Sequence, residues 1–185
     1  MVWRWLVTAF SSIEVLMAPV RPATVQSVID AVAPPKGYSV TRSQLNPPVT
    51  IRSNVAELAG VEGVNRTARF GAYVARFGDE AALGATLRQL QSGRKHRVAD
   101  STLEGLGLTL HSVGSTLNET LNDPTRTTHF IAHGRVGNSV VIVQIRDSRT
   151  GNASIRDGSR RQHLTHVRSI AADLARRARR AEGLP

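Results

Sequence analysis

The segment that most constrains the fold is residues 130–145, where two apolar runs flank Gly137-Asn138. A two-residue loop that begins with glycine suits a type II′ hairpin turn, because its backbone twist matches that of the flanking strands. Val136 is therefore expected to lie opposite Ser139. Since side chains alternate along a strand, this register also assigns every hairpin residue to one of two faces.

The two predicted faces of this hairpin differ in character. One carries three apolar cross-strand pairs: Gly134 with Val141, Ala132 with Val143, and Phe130 with Ile145. On the other face His133 opposes Ile142, and His129 opposes Arg146. Cross-strand neighbours contact each other directly, so we expect one face to join the core and the other to be mixed.

Periodicity in the rest of the chain predicts an α+β fold. Alternation from Ala68 to Val74 indicates a strand, Asp79 can cap a helix that ends at Gly93, and a capping box at Ser159 and Gln162 predicts the start of a last helix. The expected architecture is an antiparallel sheet of about five strands with helices packed on one face. We divide the chain into an N-terminal helical extension, residues 1–36, and an α+β domain, residues 37–185.

The N-terminal extension contains an amphipathic pattern. Five large apolar residues recur at helical spacing: Trp3, Leu6, Phe10, Ile13 and Met17. Such a helix can lie on the domain, on a membrane surface or on a partner. Residues 1–23 can also be interpreted as a degenerate export signal, with Glu14 interrupting the apolar block.

The charge balance favours anionic partners. The chain of 185 residues carries a formal net charge of +10, and nearly all of its cations are arginine. Long-range attraction then favours nucleic acid, anionic lipid or another acidic ligand. A solvated basic surface, with arginine favoured by a GC-rich genome, is the simpler explanation of the same composition.

The motifs of common enzyme classes are missing from the sequence. There is no cysteine, no G-x-S-x-G, no phosphate-binding loop and no G-x-G-x-x-G opening a helix. His129 and His133 have the spacing of a helical metal pair, but on a strand their rings would lie about 13 Å apart, too far to share an ion. We therefore expect no enzyme activity, no metal and no cofactor.

A polar segment over residues 113–126 is predicted to be a mobile loop over the sheet, and such loops commonly carry binding sites. The predicted ligand or partner site lies between that loop and the sheet. Its candidate residues are His129, His133, Arg135, Arg146, Asn118 and Asn122.

A second hypothesis is a cytoplasmic protein that contacts nucleic-acid phosphates through the last helix turns. The candidate residues are Arg176, Arg177, Arg179 and Arg180. The mixed hairpin face carries no aromatic residue on which bases could stack, so such contacts would be largely independent of base sequence. Stabilisation of the negative end of the helix dipole is the purely structural explanation.

Several segments resemble the small exported sensor-like and lipoprotein-like domains of actinobacteria, over residues 68–182. These segments are residues 76–82 entering a helix, Gly105-Leu106-Gly107, the hairpin at residues 135–141, and the alanine-rich last helix. The resemblance implies a non-catalytic α+β domain that binds a protein or an anionic ligand at the cell envelope. The lipobox cysteine of lipoproteins is absent, so the location stays open between the envelope and the cytoplasm.

Overall fold

The computed structural model describes residues 24–42, 45–48, 51, 55–92, 96–118, 125–150 and 157–185 of the chain. Four helices occur in these ranges: α1 (Val25–Asp30), α2 (Glu80–Gln91), α3 (Ser101–Gly105) and α4 (Asp157–Ala181). Seven strands accompany them: β1 (Ser39–Thr41), β2 (Glu57–Val64), β3 (Ala68–Arg76), β4 (His96–Val98), β5 (Leu108–Asn118), β6 (Thr125–Val136) and β7 (Ser139–Thr150). The predicted N-terminal amphipathic helix falls outside the described residues.

The seven strands form one antiparallel sheet in the order β1-β2-β3-β7-β6-β5-β4. The α+β prediction is confirmed, but the expected number of about five strands is wrong. Strand β2 was not expected, because the spacing of Asn54 and Glu57 in the sequence is typical of a helix cap, whereas Glu57 begins a strand. Strand β4 was missed because three residues are too few to show alternation.

The predicted hairpin register is confirmed. Val136 pairs with Ser139, and Phe130 pairs with Ile145. Gly137 adopts φ +57°, the left-handed backbone that its turn position requires. Next to this hairpin, a Cβ on Gly134 would lie 2.1 Å from the Gly107 carbonyl oxygen, so β6 and the start of β5 can approach only because Gly134 has no side chain.

One sheet face, which we call the α4 face, is covered by α1, α3 and α4. Its core joins Val28 and Ile29 of α1 to Leu174 of α4 through strand residues such as Val143. Helix α1 lies within the predicted N-terminal extension, and its buried residues belong to this main core. The domain boundary at residue 36 stays a prediction.

A polar network fixes the end of α4 over the sheet. Arg76 Nε contacts Glu182 Oε1 at 3.3 Å, and Arg76 Nη1 contacts Glu57 Oε2 at 3.2 Å. Ser139 Oγ donates to Glu182 Oε1 at 2.7 Å, and the Val25 amide donates to Glu57 Oε1 at 3.0 Å. The network therefore holds α1, the hairpin turn and α4 to one another.

The opposite face, which we call the α2 face, is covered by α2 at the end near the hairpin turn. Leu83 and Leu90 of α2 pack with Val140 and Ile142 of β7 in a second core. The expectation that the helices share one face is therefore wrong for α2. Asp79 caps α2 as predicted, accepting from the Ala81 amide at 2.9 Å.

Two predicted loops are shorter than expected because strands extend into them. In the segment predicted as a mobile loop, residues 113–118 continue β5 and residues 125–126 begin β6. The polar stretch over residues 147–158 also predicts a loop, but β7 continues to Thr150, and α4 begins at Asp157, ahead of the predicted cap at Ser159. The ladder hydrogen bonds of neighbouring strands outweigh the turn preference of the polar residues.

Candidate functional site

Strand β7 becomes progressively exposed on its α2 face. Val140 and Ile142 are buried, Gln144 is half-buried and Arg146 is exposed. On the α4 face the same strand stays buried as far as Asp147. Along the described residues of β7, the side chains on the α2 face therefore become exposed toward the end remote from the hairpin turn, and those on the α4 face stay buried.

Three basic side chains form a row across this open end. Arg69 of β3 pairs with Arg146 of β7, which in turn pairs with His129 of β6. Neighbouring strands lie about 4.8 Å apart, and like charges directly opposite each other destabilise a sheet. Neither guanidinium has an ion-pair partner among the residues that the structure describes, so the row is an uncompensated concentration of positive charge.

The row borders a polar cavity of about 190 Å³, which we call the arginine cleft. Its lining residues are Asn46, Glu62, Arg69, Phe70, Tyr73, His129, Gln144 and Arg146. A second hollow of about 340 Å³ borders the same two arginines and adds the hydroxyl-bearing residues Thr67 and Ser148. The two guanidinium groups can thus be approached from both sides.

Tyr73 and Glu62 shape the inner end of the cleft. Tyr73 Oη donates to Glu62 Oε1 at 2.7 Å, and the backbone N–H of Asn46 donates to the same oxygen. A Cβ on Gly71 would lie 2.6 Å from Tyr73 Oη. The absence of a side chain at Gly71 therefore allows the phenol to lie over this residue and reach the carboxylate of Glu62 on the neighbouring strand.

His129 is held by the floor of the cleft. Its Nε2 lies 3.1 Å from Gln144 Oε1, and both side chains are half-buried. The contact limits the orientations that the imidazole can adopt. The cleft therefore presents two exposed arginines beside two half-buried polar groups that contact each other.

Among the predicted ligand residues, the structure brings His129 and Arg146 together in this cleft. His133 is only 1% exposed and stacks on His111, with ring centroids 5.0 Å apart. Arg135 lies at the far end of β6 and makes two hydrogen bonds to the Glu80 carboxylate. His133 and Arg135 are therefore not part of the cleft.

The side chains of the two predicted asparagines lie outside the described part of the structure. Asn118 is the last residue of β5, and its side chain is outside the described part of the structure. Asn122 lies outside the described residues altogether. The described part of the candidate site lies on the strands, and the expected contribution of the segment over residues 113–126 stays a prediction.

The four arginines of the nucleic-acid hypothesis divide into two pairs. Arg177 Nε contacts Asp173 at 2.7 Å, and Arg179 Nε donates to the Pro185 carbonyl oxygen at 2.7 Å. Arg176 and Arg180 are exposed one helical turn apart, without an ion-pair partner in the described ranges. Only the second pair is available to an external phosphate.

Sequence patterns pointed to two of the three residues in this row, His129 and Arg146, and missed Arg69. Arg69 occupies the same face of β3 as Gly71 and Tyr73, so the alternation of side chains along the strand predicts the face on which it lies. Its position beside Arg146 depends on the pairing of β3 with β7, which are separated by three intervening strands in the chain. Glu62 could not be found because β2 itself was not predicted.

The described residues offer neither a metal site nor a membrane-spanning helix. They contain no group of three or more His, Cys, Asp or Glu side chains that could hold a metal ion. None of their helices is long and apolar enough to cross a membrane. A larger hollow of about 660 Å³ is open and includes one charged residue, Arg66.

No family model matches the chain, and no curated protein matches it. One solved structure that it resembles is the X-ray structure of an uncharacterised protein from Mycobacterium smegmatis, at 14% identity and a TM-score of 0.26. The match covers 76% of this chain and 79% of the other. A TM-score this low supports no conclusion about fold or function.

Proposed function

We propose that this chain is a non-catalytic binding domain that holds an anionic ligand in the arginine cleft. The observation that carries the proposal is the direct cross-strand pairing of Arg69 with Arg146, without a carboxylate partner in the described residues. An unoccupied pair of this kind costs free energy, which an oxyanion would recover. Arginine also suits this role because its planar fork can bind carboxylate or phosphate through two hydrogen bonds.

Inorganic phosphate in a buffer of low ionic strength is the first probe of this function. Isothermal titration should detect binding that Arg69→Gln or Arg146→Gln weakens by about tenfold or more, since a hydrogen bond to a charged group contributes about 1.5–3 kcal/mol. Arg88→Gln removes an exposed arginine from α2 and is the matched control. Equal loss in all three variants would show non-specific attraction and contradict the proposal.

The non-catalytic part of the proposal has its own test. A phosphate monoester such as p-nitrophenyl phosphate should compete with inorganic phosphate for the cleft and remain intact during prolonged incubation. Hydrolysis by the purified chain that disappears on His129→Gln would show that the cleft catalyses a reaction.

The cell-envelope role is proposed from the resemblance at residues 76–82 and in the hairpin, and the fold supplies no contact that bears on it. Fractionation of cells expressing the native chain tests this part separately. Recovery only from the cytoplasm would remove the envelope role and leave the anion site standing.

The second candidate function is contact with nucleic-acid phosphates, and it is favoured by Arg176 and Arg180, which are exposed and one turn apart on α4. It predicts binding to generic duplex DNA that weakens steeply as the salt concentration rises. The double variant Arg176→Gln/Arg180→Gln should abolish that binding, whereas Arg146→Gln should not. Absence of DNA binding at low salt would exclude this candidate.

A further inference from the structure

The carboxylate of Glu62 in the arginine cleft indicates what kind of anion fits there. This inference rests on the proposed anion site and names the chemistry of its ligand. Glu62 lies on β2 opposite Gly71, one step along the α2 face from the pair formed by Arg69 and Arg146. Two residues of strand separate these rows by about 7 Å.

Glu62 is oriented, but only one of its oxygens is used. Oε1 accepts a hydrogen bond from the Tyr73 hydroxyl at 2.7 Å and another from the backbone N–H of Asn46. Among the described residues no donor contacts Oε2. Two donors on one oxygen fix the direction of the carboxylate, and the second oxygen remains open to a ligand.

Glu62 does not neutralise the arginines beside it. All three side chains line the same cavity, yet neither guanidinium lies within ion-pair distance of Glu62. An acid and a base that are held apart in one cleft favour a ligand that carries both opposite charges. A simple oxyanion would use the arginines and be repelled by the carboxylate.

The size of the cleft limits the ligand to a small molecule. Its volume is about 190 Å³, whereas pockets for drug-sized ligands usually begin at about 300 Å³. A water molecule occupies about 30 Å³ in the liquid, so the cleft offers the space of about six waters. A short chain with one charged group at each end fits both this volume and the spacing of the rows.

We propose that the arginine cleft binds a small zwitterion, with its oxyanion on Arg69 and Arg146 and its primary ammonium on Glu62. The ammonium donates to Oε2, while Tyr73 and the Asn46 amide hold Oε1. The same chemistry occurs in free amino-phosphates and in ethanolamine phospholipid headgroups, which the experiment below separates.

Three soluble probes separate the contributions of the two charges: phosphoethanolamine, inorganic phosphate and phosphocholine. Phosphoethanolamine carries both groups, inorganic phosphate has no cation, and phosphocholine has a cation without an N–H donor. By titration, phosphoethanolamine should bind at least about tenfold more tightly than either of the others, which corresponds to about 1.4 kcal/mol. Equal affinities for phosphoethanolamine and inorganic phosphate would overturn this inference and leave the anion site intact.

Substitutions assign the preference to particular residues. Glu62→Gln should raise the dissociation constant of phosphoethanolamine to that of inorganic phosphate without weakening the latter. Arg146→Gln should weaken both ligands, and Arg88→Gln should weaken neither. If inorganic phosphate and phosphoethanolamine both fail to bind the unaltered chain, the proposed function fails and this inference fails with it.

Folding of the Glu62 variant needs a separate check, because Glu62 also accepts hydrogen bonds from Tyr73 and Asn46. Tyr73→Phe is the second variant: it removes one donor and leaves the carboxylate in place. It should retain part of the ammonium preference, whereas complete retention of that preference in Glu62→Gln would contradict the assigned role of the carboxylate.

Vesicles distinguish the two sources of the zwitterion. Co-sedimentation with vesicles that contain phosphatidylethanolamine, but not with vesicles of phosphatidylcholine alone, would identify the lipid headgroup as the accessible source. Binding of soluble phosphoethanolamine without co-sedimentation would identify a free zwitterion.

Discussion

The two ends of the α2 face are formed by the same strands, but helix α2 covers only the end near the hairpin turn. Near the hairpin turn, Val140 and Ile142 are fully buried beneath α2. At the other end, Arg69 and Arg146 are exposed beside a cavity. Strand pairing thus places residues side by side. The covering helix then decides which of them are buried in the core and which remain available to a ligand.

The largest expected effect tests the covered end. Ile142→Ala should lower the free energy of unfolding by about 3 kcal/mol, because it removes buried methyl groups and leaves a cavity. Arg146→Ala, four residues along the same face, should change it by no more than about 0.5 kcal/mol. Urea denaturation of both variants measures the contrast, and similar losses in the two would mean that the ends do not differ as described.

A smaller effect is expected at the boundary between the two ends. Gly71→Ala would place a Cβ 2.6 Å from Tyr73 Oη and displace the phenol from Glu62. We expect a loss of about 1–2 kcal/mol of stability from the steric conflict and weaker phosphoethanolamine binding. Gly78→Ala is the control, since its Cβ would meet no atom within 4 Å. Unchanged ligand affinity in Gly71→Ala would show that the Tyr73 position is irrelevant to the cleft.

The attachment of α2 to the sheet provides a third test. Glu80 at the start of α2 pairs with Arg135 at the end of β6, through two hydrogen bonds between exposed side chains. A double-mutant cycle on Glu80→Gln and Arg135→Gln should give a coupling of about 0.5–1 kcal/mol, as is typical of exposed ion pairs. A coupling of zero would mean that apolar packing alone holds α2 in place.

The smallest effect concerns the α4 face behind the cleft, and it appears only at alkaline pH. Burial raises the pKa of Tyr38 above its ordinary value of about 10, and the Asp147 carboxylate raises it further. The neutral phenol is thus favoured in the fold. Its contribution to stability is complete below about pH 10 and is lost as the pH rises through the raised pKa of the folded state.

Denaturation at a series of pH values above about 9, for the unaltered chain and for Tyr38→Phe, measures this contribution. The phenylalanine variant should lose less stability across the alkaline range, because it has no phenol to ionise. Identical alkaline slopes in the two proteins would show that Tyr38 is hydrated, and that the α4 face is open at this end as well.

Local pattern was sufficient where a strong signal acted within a few residues. The Gly137-Asn138 turn predicted the pairing of β6 with β7 residue by residue, and Asp79 predicted the start of α2. In contrast, the polar residues from 113 to 118 suggested a loop, although they continue a strand. Their backbone groups are paired with β6, which no local preference reveals.

The sequence by itself determined the alternation of faces along the hairpin, because side chains in a strand point to opposite sides whatever surrounds them. It therefore placed His129 and Arg146 opposite each other before any tertiary contact was known. The pairing of β3 with β7 and with β2 depends on the tertiary structure, and it brings Arg69 beside Arg146 and Glu62 into the same cleft. That step depends on contacts between residues far apart in the chain, and the free energy that selects them belongs to the packed core as a whole.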